Sequence, residues 1–443
     1  MTPADAAGST PAEDGVVSRQ VWKWTVLAAM ASYLDAGSIV ALGSGLALFQ
    51  STYHLSGSAV GALAAIGPNA IGCAVGSFVG GRLGDKLGRK RIYKYDLLVY
   101  AVGALLIGLS FNAATLFIGT FIIGVAVGAD VPTSLALVGE FAPAKARGKL
   151  LGFTQIAWGT GPVVVLVLAA ILSGAGLGLL GTRIVFFHLV LVALVTWALR
   201  QGMSESIRWQ KAMGATTLAA RSLRTLLNHG NLSGLAYTAV IYVFWGLAAG
   251  TAGIFTPYMI ETLHAGGPVT GLMFSAAGFL IGIIANILIF MRYADRGHGA
   301  RKAMWGIGAI MQIVAYGMFI VLPFTVPVII LNIVLFGIGA SLAGEQMYKT
   351  ISQEVFPTVV RGTAQGFTFG IARVLLGIWS FFVPTLAHAG FTVVGGLLAA
   401  FLLVSGVVGY LFMPNTAGKS LEQIESERTA QQAVSPDLAA GTG

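Results

Sequence analysis

"EFAPAKARG", residues 140–148, and "EVFPTVVRG", residues 354–362, share the spacing E-x-x-P-x-x-x-R-G, the second copy beginning 214 residues after the first. A weaker echo links "GGRLGDKLGRKR" (80–91) with "YADRGHGARK" (293–302), whose aspartates, Asp85 and Asp295, lie 210 residues apart. Self-similarity at one long offset is the mark of a duplicated architecture. The chain therefore reads as two related halves, and the question becomes what each half is made of.

Composition answers that. The chain has 443 residues, 56% hydrophobic and only 10% charged, with a mean hydropathy of +0.82. A soluble domain carries about 25% charged residues, so this chain cannot cover a water-facing surface. A helix crossing a bilayer needs about 20 apolar residues. Such windows recur near 24–49, 58–80, 95–111, 114–138, 149–173, 182–200, 234–260, 268–291, 303–322, 326–350, 363–387 and 391–413. The short alternating segments of a β-barrel are missing. The expected fold is an all-α membrane protein with twelve transmembrane helices in two pseudo-symmetric six-helix bundles. The expected divisions are a tail (1–21), a first bundle (22–200), a linker (201–233), a second bundle (234–413) and a second tail (414–443). Residues 1–18 contain Asp5, Glu13 and Asp14 and no basic start, so the first helix is expected to stay as an uncleaved anchor.

The net charge of +9 describes orientation. Lys349 and Arg373 lie inside spans and Arg183 in a gap on one side; every other Lys and Arg, Arg221, Arg224 and Arg428 among them, falls in the gaps and tails of the opposite side. That asymmetry is the positive-inside rule. It predicts a multi-pass protein of the cytoplasmic membrane with both termini in the cytoplasm, and it carries no nucleic-acid signal. The single cysteine, Cys73, reads as packing and permits no disulfide within the chain. Gly72, Gly76 and Gly80 share one face of the second span, the spacing that lets helices approach closely.

At these residues the chain resembles the major facilitator superfamily over nearly its whole length. "GGRLGDKLGRKR" looks like the superfamily's loop between helices 2 and 3. "SESIRW" (204–209) resembles the P-E-S-P-R-W element of its sugar-porter and metabolite:proton symporter branches, without the prolines. The resemblance implies a secondary active transporter working by alternating access as a monomer. Its partners would be a small solute, protons and the bilayer, with no cofactor and no metal. It also implies a cytoplasmic gate built from Asp85, Arg89, Glu140, Arg147, Glu205, Arg208, Asp295, Glu354 and Arg361, in which Asp85 can pair with Arg89 and Glu140 with Arg147.

Ionisable groups within spans mark functional positions, each costing about 2.5–3.5 kcal/mol at the centre of a lone inserted helix. There are five: Asp35, Asp130, Glu345, Lys349 and Arg373. Glu345 and Lys349, four apart, can pair on one helix face. Asp35 and Asp130 have no partner within sequence reach and are expected to face each other. Burial and a neighbouring like charge both favour a protonated carboxyl, so both are proton-coupling candidates. In proton-coupled sugar porters the helix 1 aspartate pairs with an arginine at the start of helix 4, where this chain has Thr120. Their helix 7 Gln-Gln pair and Asn are replaced by Phe244, Trp245 and Gly250, while their helix 5 glutamine survives as Gln155. "GADVP" (128–132) and Arg373 instead look like the phosphate and organic-metabolite symporters. The expected substrate is thus a small organic anion (a carboxylate, sugar acid or similar oxyanion), with a sugar or polyol as the alternative. The expected binding set is Arg373, Gln155, Trp158, Trp245, Glu345, Gln346 and Lys349, with Tyr348 a further wall. A drug:proton antiporter is disfavoured because Gly161-Pro162 is followed by valines rather than paired glycines. No metal spacing, nucleotide loop or G-x-S-x-G points to an enzyme.

Overall fold

The computed structural model describes residues 17–215, 226, 229–262, 268–388 and 391–427. Most of both tails and part of the linker, with Arg221, Arg224 and Arg428, lie outside the described residues. The first half runs through α1 (Arg19–Thr52), α2 (Gly57–Ile66), α3 (Ile71–Leu87), α4 (Arg89–Gly108), α5 (Ala113–Phe141), α6 (Arg147–Gly174) and α7 (Gly178–Arg200). A short α8 (Ile207–Ala215) follows. The second half comprises α9 (His229–Thr262), α10 (Pro268–Ala285), α11 (Met291–Tyr293), α12 (His298–Gly317), α13 (Val326–Leu342), α14 (Glu345–Val355), α15 (Arg361–His388) and α16 (Phe391–Leu411). A π-turn, Asn286–Phe290, joins α10 to α11 in one rod. With α2 and α3 as one broken rod and α13 and α14 as another, each half has six membrane-crossing rods. Among the described residues, ten are long and apolar enough to cross by length and composition. Of the other two, α4 opens on Arg89, Lys90, Arg91 and Lys94, and α15 carries Arg361 and Arg373.

The two breaks differ from the continuous spans expected from hydropathy, and both have local causes. Pro68 lacks an N–H and biases Gly67 away from helical geometry, so residues 67–70 form a turn that presents Asn69 to the interior. At the other break, the chain leaves helical geometry at Ala343 and Gly344, and α14 restarts with Glu345 in its first turn. A carboxylate there sits at the positive end of the helix dipole.

Within the first half α1 packs on α6, while α5 is gripped by α3 and α4. The glycine face of the second span meets α5: a Cβ at Gly76 would strike the Val125 carbonyl, and one at Gly80 would strike Ala129. Two seams join the halves, α3 against α15 and α6 against α10. The first is backbone on backbone, since a side chain at Gly81 would collide with the Gly362 carbonyl and one at Gly366 with that of Ser77.

Candidate functional site

Where the two halves meet, a cavity of about 620 Å³ is lined by α1, the 67–70 turn, α6, α9, α10, α14 and α15. Asp35, from α1, is 1% exposed and reaches across the halves. Its Oδ2 accepts from Arg373 Nη2 of α15 at 3.3 Å and from Trp158 Nε1 of α6 at 3.1 Å. Arg373 also donates through Nη1 to Asn69 Oδ1 at 2.9 Å and lies 4.7 Å over the Phe369 ring. Asp35 Oδ1 and Arg373 Nε are buried with no hydrogen-bond partner among the described residues. α5, which carries Thr120, offers Asp35 no arginine, and its counter-charge comes instead from the other half of the molecule.

Beside this pair Lys349 Nζ lies 3.4 Å from Glu345 Oε1, the expected i,i+4 contact. Gln155 bridges the two, donating to Glu345 Oε2 at 3.2 Å and accepting from Lys349 at 2.9 Å. Tyr242 donates its hydroxyl to Glu345 at 3.2 Å and stacks on Tyr348 with ring centroids 4.0 Å apart. Trp245 lines the cavity but donates its indole N–H to Gln312 at 2.9 Å. Gln346 donates to the Ala340 carbonyl and faces an adjoining space of about 920 Å³ between α6, α9, α10 and α13. Asn69, Tyr242 and Gln312 were missed from sequence. The glycine–proline step before Asn69 was the one available signal.

Asp130 is not in this group. The structure corrects the expectation that it faces Asp35: its Oδ2 accepts from Arg200 Nη1 at 2.9 Å and its Oδ1 from Ser134 at 2.6 Å. Arg200, counted from sequence as an orientation charge, closes α7 and turns inward. The two aspartates therefore have separate partners and separate surroundings.

At the basic end the expected gate residues assemble, with a different pairing. Arg89 meets Asp85 at 3.1 Å as expected. Glu140 pairs with Arg89 at 2.8 Å and Arg361 at 3.3 Å, and not with Arg147. Arg147 instead reaches Glu354 at 3.3 Å, which Arg301 grips through two bonds at 2.6 and 3.1 Å. Each arginine of the repeated motif thus pairs with the motif glutamate of the opposite half. The aspartates complete the symmetry. Asp85 accepts the N–H groups of Gly362 and Thr363 at the start of α15, at 3.1 and 2.6 Å. Asp295 accepts those of Gly148 and Lys149 at the start of α6, both at 2.8 Å. A carboxylate on a helix N-terminus satisfies orphan donors and the dipole together. Burial raises the Asp295 carboxyl above the usual range, against Arg301 and those two N–H groups, so acidification discharges this cap. Glu205 accepts the N–H of Lys90 at 3.0 Å, and Arg208 donates to the Glu140 carbonyl at 2.6 Å.

Crossed buried pairs should be energetically coupled. A double-mutant cycle of Arg147→Met and Glu354→Gln, read by thermal unfolding, should return about 0.5–3 kcal/mol of interaction. Additive effects would mean that the contact is incidental.

The first half matches, over residues 37–238, the family model described as "Sugar (and other) transporter", and residues 238–440 match that of the Major Facilitator Superfamily. The chain is 39% identical over 414 residues to the minor myo-inositol transporter IolF of Bacillus subtilis, covering 91% of this chain and 93% of that one. It is 24% identical over 421 residues to the cis,cis-muconate transport protein of Acinetobacter baylyi, covering 90% and 95%. Among solved structures, the proton:xylose symporter XylE bound to 6-bromo-6-deoxy-D-glucose superposes with a TM-score of 0.79 at 19% identity, over 92% of this chain and 98% of that one.

Proposed function

The chain belongs to the Major Facilitator Superfamily, and from that premise we propose that it carries a small neutral polyol of the inositol kind across the cytoplasmic membrane together with a proton. That it is a sugar or metabolite transporter and not an enzyme follows from the family and its relatives. The finer reading rests on one observation, the charge balance of the central cavity. Asp35 is matched by Arg373 and Glu345 by Lys349, so the resting site holds two acids and two bases in pairs. A neutral solute enters such a site without adding a charge. Hydroxyl groups find donors and acceptors in Asn69, Gln155, Trp158, Tyr242 and the free edges of Asp35 and Arg373. The 39% identity to a transporter named for myo-inositol supports the same class.

In this account Asp35 binds the proton. Protonation removes the charge that holds Arg373, and because Asp35 and Arg373 belong to opposite halves it loosens a tether between them. Solute hydroxyls take up the released donors, and the halves rock until the crossed gate at the basic end opens. The basic end is the cytoplasmic one, by the positive-inside distribution, and one chain suffices for the cycle.

An organic anion is the second reading, and one observation favours it: when Asp35 is neutral, Arg373 faces the cavity with a charge to spare. Calorimetric binding of myo-inositol and of muconate to the purified protein separates the two. We expect binding of the polyol and none of the dianion at the same concentration; the reverse order would install the anion.

A further inference from the structure

Below the cavity, towards the basic end, the first half contains a second buried charge cluster that the transport site does not use. Arg200 closes α7 and is fully enclosed. It faces two carboxylates, Asp130 of α5 at 2.9 Å and Asp96 of α4 at 3.6 Å. Its remaining donors go to main-chain carbonyls of α1, Nε to Leu27 at 3.0 Å and Nη2 to Ala28 at 3.4 Å. The guanidinium lies 4.4 Å over the ring of Tyr93, on α4. The charged and titratable groups of the cluster are therefore Arg200, Asp96, Asp130 and Tyr93, with Ser134 donating to Asp130 and α1 contributing carbonyls.

One positive charge against two carboxylates leaves a buried unit of negative charge if both acids are ionised. Isolated buried charges are strongly disfavoured, and the ordinary remedy is neutralisation. One detail shows which group is neutralised. Asp96 is 6% exposed, and its Oδ2 has no donor within hydrogen-bond range among the described residues. Asp96 Oδ1, by contrast, accepts the Leu97 N–H at 2.6 Å. A metal cation is a poor alternative beside a guanidinium at 2.9 Å. Among the described residues no group of three or more His, Cys, Asp or Glu could hold one.

We propose that Asp96 is a second proton-binding site, held as a neutral acid beside the Asp130–Arg200 pair and apart from Asp35 and the substrate cavity. Along α1, Asp35 lies eight residues beyond Leu27, about 12 Å at 1.5 Å per residue, so the site sits between the cavity and the basic end. Tyr100, one turn beyond Asp96 on α4, donates to the Leu34 carbonyl at 3.2 Å and connects the two levels. The site needs no assumption about coupling at Asp35, and its test is made in a background where Asp35 is already neutral.

The experiment is infrared spectroscopy of the full chain in nanodiscs across a pH titration, in the Asp35→Asn background with and without Asp96→Asn, together with thermal unfolding over the same range. A protonated-carboxyl band should persist at neutral pH in Asp35→Asn and disappear in the double variant. Because the folded state holds a proton on Asp96 that the unfolded state has released at neutral pH, stability should fall as the pH rises through its titration. Asp96→Asn should remove that fall. No band, a band indifferent to Asp96→Asn, or equal pH slopes would overturn the proposal. Failure of Asp96→Asn to fold would overturn it too, because the amide is the neutral stand-in for the protonated acid.

Discussion

Asp35→Asn abolishes accumulation of substrate driven by a pH gradient, while exchange of substrate across the membrane persists. This is the largest effect expected of any single substitution in the cavity. The amide still accepts from Trp158 or Arg373, which hold Oδ2 at 3.1 and 3.3 Å, so the site keeps its shape. It cannot take or release a proton, so nothing ties the direction of rocking to the gradient. A mis-set hydrogen bond costs about 1 kcal/mol, so exchange should stay within about tenfold of the wild type. Loss of binding and exchange together would make Asp35 a substrate ligand alone. Undiminished accumulation would remove it from coupling.

Arg373→Ala should weaken substrate binding by about 10- to 100-fold, the loss expected from a charged hydrogen bond of about 1.5–3 kcal/mol. It should also stop gradient-driven uptake. Without its counter-charge a buried carboxylate retains its proton, so Asp35 would stay loaded through the cycle. Arg373→Lys should fall between, since a point charge cannot serve Asp35 and Asn69 at once as the guanidinium fork does. Affinities of both variants for a polyol and for its carboxylic acid analogue check the substrate class. Parallel losses are expected for a neutral substrate; a loss confined to the acid would assign Arg373 to an anion.

The fold was readable because it is written twice and because water cannot be faced by so few charges. The repeated E-x-x-P-x-x-x-R-G and the twelve apolar windows required no tertiary information. The central charges were readable for a related reason: Asp35, Glu345, Lys349 and Arg373 are costly in a span and stand out against it. Their partners were not. Asp35 and Arg373 are separated by 338 positions, and only the meeting of the halves brings them together. The same holds for Glu140 with Arg361. Local spacing suggested Glu140 with Arg147, but each motif arginine starts a helix whose N-terminus is capped from the opposite half, and that turns it across the seam. Asp96 and Arg200 escaped notice because each sits at a span end, among charges that orientation alone explains. Asn69 carries no charge, and its importance comes from the break that Gly67 and Pro68 impose.

In the proposed function a neutral polyol and a proton move together through a site in which Asp35 takes the proton. Proteoliposomes holding the full chain and a trapped pH dye test it most directly. Adding myo-inositol outside, with no gradient imposed, should acidify the interior in a saturable manner, and Asp35→Asn should eliminate the acidification. Entry of labelled myo-inositol with no accompanying change in interior pH would contradict the claim.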